Sequence, residues 1–472
     1  VYILKSLATL QEEWAEKQAA EGNGSTTLAT TRRNFMLSAA TLGTGLFVSS
    51  RVAAAPDAPA NAAAAEALAY PERVMLSCSE DPAHVQRLTW RAAGALASPQ
   101  AQIAPLSASP VFEDAVQTVA AVAKNPFKSM GGGDACPYAA TFSGLQPETG
   151  YCYRVGDGAT WSEWNIFKTA SDKPAPFRFI YVGDVQNDIR AMCSRTMRMA
   201  LRHAPDARFI VYAGDLVTDG YSDMLWDEFA FANDVISAMI PALPTPGNHD
   251  THHETAKMPP YPFNADTAYH GHFALPENGP ADAPTLNQEV YYVDYQGVRM
   301  ISLNSNALED EVPQAIRDAQ LAWLEGVLRD NPNRWTMVTH HHPIYSTSKK
   351  RDNEWLRNQL RPLYDTYRVD LVLQGHDHTY GRTHKVAGDE IVGNDAPGTV
   401  YAVSVAGPKM YDSDPLFARL MPIYFGQKQL FQVIAIDGGR LQYDSYDVTG
   451  ARVDGFELTK GDNGISTYST TI

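Results

Sequence analysis

The sequence predicts two joined domains, a small all-β sandwich followed by a layered α/β domain with mixed sheets. Three observations predict it. Residues 70–170 carry short alternating or β-prone runs separated by Gly, Pro, Asn and Asp. Beyond a linker at Ser171–Pro176, strand-like apolar runs alternate with amphipathic helical stretches. The chain has 472 residues, 44% hydrophobic and 19% charged, which supplies packed cores and excludes collagen-like or disordered classes.

In chain order, the first element expected is an export signal. Thr31-Arg32-Arg33-Asn34-Phe35-Met36-Leu37 is a twin-arginine pattern, followed by a weakly apolar stretch to Val48 and the small-residue run Val52-Ala53-Ala54-Ala55. Charged region, apolar region and small-residue site stand in secretory order. Residues 1–55 are therefore expected to be a twin-arginine signal peptide, and residues 56–69 a flexible linker. The expected location is periplasmic or secreted, with the twin-arginine machinery as a partner. No apolar run reaches the roughly 20 residues of a bilayer span, so no membrane span is expected after cleavage.

The sandwich, residues 70–170, rests on strands at Val74–Ser77, Arg87–Arg91, Ala139–Phe142 and Tyr151–Val155. Cys78, Cys136 and Cys152 lie in it, either as one disulfide with a spare thiol or as buried small hydrophobes.

The α/β domain, residues 177–460, opens with a strand at Phe177–Val182 and a helix at about 188–203. Further strands are expected at 209–213, 299–304, 335–339, 369–373, 400–405 and 430–436, and helices at 223–239, 313–330 and 354–367. Residues 258–284, rich in Pro, Gly and aromatics, read as a long loop forming one wall of a site.

The chemistry lies just beyond the apolar runs. They lead into Gly183-Asp184-Val185-Gln186, Gly214-Asp215, Gly247-Asn248-His249-Asp250, His340-His341-His342-Pro343 and Gly375-His376-Asp377-His378. In open α/β sheets, ligands bind beyond the carboxyl ends of strands. Carboxylate, amide oxygen and imidazole together suit borderline divalent or trivalent metals. No cysteine is in the set, and no Gly-x-Ser-x-Gly nucleophile turn occurs.

This motif order resembles the calcineurin-like metallophosphoesterases. With the preceding sandwich, which is similar to a fibronectin type III-like domain, it resembles bacterial relatives of the purple acid phosphatases over roughly residues 70–460. The resemblance implies a four-layer αββα sandwich and two metal ions, with iron, manganese or zinc all compatible. It places Asp184 and His378 on the first metal, Asp215 between both, and Asn248, His341 and His376 on the second. His340 and His342 remain alternates to His341. Gln186 stands where many relatives have a histidine, and either ligates the first metal or hydrogen-bonds water. Thr218 stands where purple acid phosphatases have the tyrosine that colours the iron, so that colour is not expected.

The expected reaction is hydrolysis of phosphate monoesters by a hydroxide held between the metals, with His249 as an outer-sphere histidine oriented by Asp219 or Asp250. His252, Tyr345 and Arg382 flank the motifs as candidate substrate contacts, as does His253. The runner-up is a phosphodiesterase acting on nucleotides or lipid head groups. A reading of another class is a cell-surface binding protein with a vestigial metal site. The net charge of −16 argues against nucleic-acid polymers; the small phosphate ester expected as substrate must have its charge met locally, for instance by metal ions.

Overall fold

The computed structural model describes residues 70–128, 134–251 and 263–471. The signal and linker expected at 1–69 lie outside the described residues, as do His252 and His253.

Two sheets form the centre of the α/β part. In the first, strands Phe177–Val182, Ile210–Ala213 and Ala242–Thr245 run parallel, and Leu430–Asp437, Arg440–Asp447, Arg452–Lys460 and Ser466–Thr470 continue it antiparallel. The second is ordered Tyr291–Tyr295, Val298–Ser302, Trp335–Thr339, Leu371–Gln374, Val400–Val403, Tyr380–Arg382 and Ile423–Phe425.

Alternation along the strands explains the layers. Met337, Leu371 and Leu373 point into a core shared with Phe179 and Tyr181 of the first sheet. Val338 and Val372, of opposite parity, pack instead with Leu324 and Leu328 of helix Gln314–Arg329 and Leu356 and Leu360 of helix Glu354–Tyr367. Helices Ser194–His203 and Asp223–Ser237 cover the first sheet through Met197, Ala200, Trp226 and Phe229. The order is helix, sheet, sheet, helix. The expected helix at 188–203 begins as a π turn, Ile189–Cys193, entered through Asp188 at φ 43°.

The all-β part has its own core around Trp90, Tyr138, Phe142 and Tyr153. One of its two sheets is continuous with the first sheet of the α/β part. Strand Glu72–Ser77 joins the first sheet through Ser77 opposite Ala242, and the Cys78 N–H donates to the Ala242 carbonyl at 2.9 Å. Residues 263–284 stitch the same seam and are not an open loop. They contain helix Thr267–His272, and the carbonyls of His272 and Phe273 accept from Thr89 Oγ1 (2.5 Å) and Lys124 Nζ (2.6 Å). This corrects the loop expectation for those residues. All four cysteines are free thiols, which settles the disulfide alternative for the described residues.

Candidate metal centre

The motif loops converge where the strands of both sheets end. Two groups form: Asp184, Asp215 and His378, and Asp215, His341 and His376. Within each, the ligand atoms lie within 4.8 Å of one another, and Asp215 belongs to both. Asn248 Oδ1 adds to the second group, 3.1 Å from His341 Nε2 and 3.0 Å from His376 Nδ1.

The backbone is bent to make this possible. Asp184, Asp215, His376 and His378 all have positive φ, between 40° and 72°. Such conformations cost non-glycine residues energy and cluster at functional sites. Glycine supplies the room. A Cβ on Gly247 would lie 2.2 Å from both the Asp215 nitrogen and Oδ1, so the Asn248 loop approaches the Asp215 loop only without one.

Hydrogen bonds fix which histidine atoms face the cluster. His341 Nδ1–H donates to the Ala213 carbonyl (2.8 Å), so Nε2 presents its lone pair. His378 does the same through the Lys409 carbonyl at 3.1 Å. Asp184 Oδ2 accepts from the His376 N–H at 2.6 Å.

Electrostatics test whether cations fit. Lone pairs of Asp215 Oδ1, His341 Nε2, His376 Nδ1 and Asn248 Oδ1 converge within about one hydrogen-bond length of their neighbours. Asp184 Oδ1 and Gln186 Oε1 are buried without a hydrogen-bond partner. Protons alone balance this poorly. Burial, then repulsion from Asp215, pushes the Asp184 carboxyl well above its usual range despite His341. Against burial, Asp215 and Asp184 raise His341 to about 9. Burial opposes the Asp215 charge as well, but His341 and His249 hold it low. His378 is pushed down to about 3 by burial and then by Lys409, so it stays neutral, as a ligand must. Oxygen and imidazole donors in two groups sharing one carboxylate fit a pair of borderline metal ions.

Gln186 lies in the first group. Its Nε2 donates to Asp215 Oδ2 at 2.7 Å and sits 3.2 Å from His378 Nε2. A half-turn of the amide would exchange that nitrogen for the partnerless oxygen. His340 faces away: its Nδ1 bonds the His342 carbonyl and its ring stacks on Tyr364. His342 sits behind His376, bonded to Ser305 Oγ at 3.0 Å. Of the three histidines, His341 enters the cluster. His249 donates its N–H to Asp215 Oδ1 (2.9 Å), and its Nδ1 meets the Thr218 carbonyl at 2.7 Å. That carbonyl orients the ring, in place of the Asp219 and Asp250 carboxylates expected. Thr218 Oγ1 accepts from the Asn187 N–H instead of facing the cluster.

Two candidate substrate contacts are corrected. The Tyr345 hydroxyl donates to the Gly388 carbonyl, and its ring packs on Tyr401 and Phe417. Arg382 is buried against Asp454, with bonds of 2.5 and 2.9 Å. Both satisfy the interior.

Two carboxylates do more than their motifs suggested. Asp250 accepts from the N–H groups of Leu216, Val217 and Gly247, tying the Asp215 loop to the Asn248 loop. Asp377, between His376 and His378, accepts from Ser346, Thr347, Ser348 and Arg351. Buried acids inside Gly-Asn-His-Asp and Gly-His-Asp-His were the available signal.

Helix, sheet, sheet, helix around a carboxylate-sharing Asp/His centre defines a metallophosphoesterase fold. Residues 177–380 match the calcineurin-like phosphoesterase family, and residues 71–169 match the purple acid phosphatase N-terminal domain. An uncharacterized Mycobacterium tuberculosis protein is 29% identical over 282 residues, 53% of this chain and 51% of that one. Probable purple acid phosphatase 20 of Arabidopsis thaliana is 27% identical over 302 residues, 61% of this chain and 65% of its own length. The chain spans about half the length of the first curated relatives it matches. In fold it is similar to the purple acid phosphatase of yellow lupin (Lupinus luteus) seeds, with a TM-score of 0.69 at 17% identity, covering 84% of this chain and 75% of that one. It is also similar to PhoD, with a TM-score of 0.61 at 12% identity, covering 86% and 92%.

Proposed function

We propose that this chain hydrolyses phosphate monoesters at two metal ions. The carrying observation is that two Asp/His groups share Asp215. In this reading Asp184, Asp215 and His378 hold one ion, with Gln186 beside it. Asp215, Asn248, His341 and His376 hold the other. When bound, such ions supply positive charge for phosphoryl oxygens and lower the pKa of a water toward about 7. The chain's residues do the rest. The Thr218 carbonyl keeps a proton on His249 Nδ1, so Nε2 is the atom that takes up a proton from solvent and, as imidazolium, gives it to the departing alkoxide. Asp250 and the short Gly247 approach keep His249 in register with Asp215. Phosphatase names among the relatives support the same reading.

The test pairs metal analysis with assays of 4-nitrophenyl phosphate and bis(4-nitrophenyl) phosphate. About two ions per chain and faster monoester turnover are expected. One ion or none, with neither ester cleaved after reconstitution with iron, manganese or zinc, would sink the reading.

We also infer export through the twin-arginine route, supported by Arg32-Arg33 and the small-residue run ending at Ala55. Among the described residues no helix is long and apolar enough to cross a membrane. Replacing both arginines with lysine should leave the protein in the cytoplasmic fraction.

A further inference from the structure

On an acidic chain, the mouth of the metal centre is locally basic. Tyr411 packs edge-on against His378, ring centroids 4.8 Å apart, and its N–H donates to the His378 carbonyl at 3.1 Å. Two cations lie near that ring: Lys409 Nζ is 5.6 Å and Arg351 Cζ 5.9 Å from its centroid. Neither side chain is fully exposed, and both belong to segments fixed to the cluster. Lys409 supplies the carbonyl that holds His378, and Arg351 Nη1 donates to the His376 carbonyl (3.2 Å) and to Asp377 (2.9 Å). The two segments are also tied to each other, through the Lys349 N–H on the Asp412 carbonyl and the Ser348–Ser413 bridge.

The charges there are unequal in what they have left to offer. The buried Asp377 takes one face of Arg351. Among the described residues no carboxylate forms an ion pair with Lys409, although exposed Asp412 and Asp414 lie further along its segment. Lys349 and Lys350, both exposed, extend the positive side. A phosphate ester seated at the cluster would therefore lie beside the Tyr411 ring and its two neighbouring cations.

We propose that Lys409 and Arg351, arranged about Tyr411, form a second anion subsite, so that the preferred substrates are phosphate monoesters whose leaving group carries another anionic group. This rests on the phosphoesterase reading and adds the substrate class to it. A carboxylate and a second phosphate share the chemistry; attraction to the two cations favours either over a neutral leaving group. Arg351 prefers a planar bidentate partner, whereas Lys409 acts as a point charge.

The test compares kcat/KM of the metal-loaded protein for ethyl phosphate, 2-carboxyethyl phosphate and ethylene glycol bisphosphate. At least one of the two charged esters is expected to lead ethyl phosphate by about tenfold. The one that leads names the second group. Lys409→Gln should reduce that ratio to about threefold or less, and Lys409→Arg should restore it. Calorimetry gives a readout without turnover: methylenebisphosphonate should bind more tightly than methylphosphonate, and Lys409→Gln should narrow the gap. Equal efficiency on all three esters, or a ratio untouched by Lys409→Gln, overturns the subsite and leaves the esterase reading standing. No turnover on any ester overturns the esterase reading, and the subsite with it.

Discussion

His249 Nδ1 lies 2.7 Å from the Thr218 carbonyl, so its acid–base work falls to Nε2. His249→Ala should therefore keep its metal, because the bond to Asp215 comes from the backbone N–H. Its kcat should fall by about 10²–10⁴. Metal content and kcat measured on one preparation check this; unchanged turnover would remove His249 from the mechanism. Asp215→Asn acts differently. It removes the carboxylate common to both groups, so bound metal should fall below two per chain and turnover with it, read by elemental analysis. The sequence showed these residues because each ligand type has few substitutes and stands in a short motif just after an apolar run. It could not show the orienting partners, since a backbone carbonyl such as that of Thr218 leaves no mark on residue type. Tyr345 and Arg382 were misread for a related reason: a polar residue near a motif looks the same whether it faces substrate or, like Arg382, a buried Asp454.

Among the elements, the loops after Ile210–Ala213 and Ala242–Thr245 depend on each other through Asp250. Its carboxylate accepts three buried backbone N–H bonds, at 2.8 to 3.3 Å. Asp250→Ala leaves those donors without it, at about 1–3 kcal/mol for each that finds no water. The variant should lose several kcal/mol in urea unfolding and bind metal more weakly, because Asp215 and Asn248 lose their shared anchor. A variant with wild-type stability and metal affinity would show that water replaces the carboxylate. Most site strands were legible as apolar runs ended by a Gly or a polar ligand, as in Phe177–Val182 and Trp335–Thr339. Ala242–Thr245 was not. It has four residues, and its Pro244 argues against an interior strand. Tertiary contacts override that signal: the Pro244 carbonyl accepts from the Tyr269 and Tyr291 hydroxyls, and the strand pairs with Ile210–Ala213 in register.

Across the whole molecule, the all-β part and the α/β part meet at a buried charge network that makes their seam sensitive to acid. Arg73 and Arg91 share Asp223, at 2.7 and 2.8 Å. His272 completes it: Nδ1–H donates to the Ala268 carbonyl, Nε2 faces Arg73 Nη1 at 3.2 Å, and the ring stacks on Trp226. Burial, and then the Arg73 charge, push this imidazole down to about 3 from an ordinary 6.5. Between those values the unfolded chain binds a proton that the folded chain refuses. The unfolded state holds more protons there, so stability is full above about pH 6.5 and drains away as pH falls toward 3. At pH 4 the loss from this one group is about 3 kcal/mol. His272→Gln removes the titrating group. Its stability deficit relative to wild type, measured by urea unfolding, should therefore shrink as pH is lowered from 7 to 4. A deficit constant across that range would mean that His272 is protonated in the folded protein, and that acid acts on the seam through other groups. None of this was visible in the sequence, because Arg73, Asp223 and His272 are far apart along the chain and meet only when strand Glu72–Ser77 joins the sheet beside Ala242–Thr245.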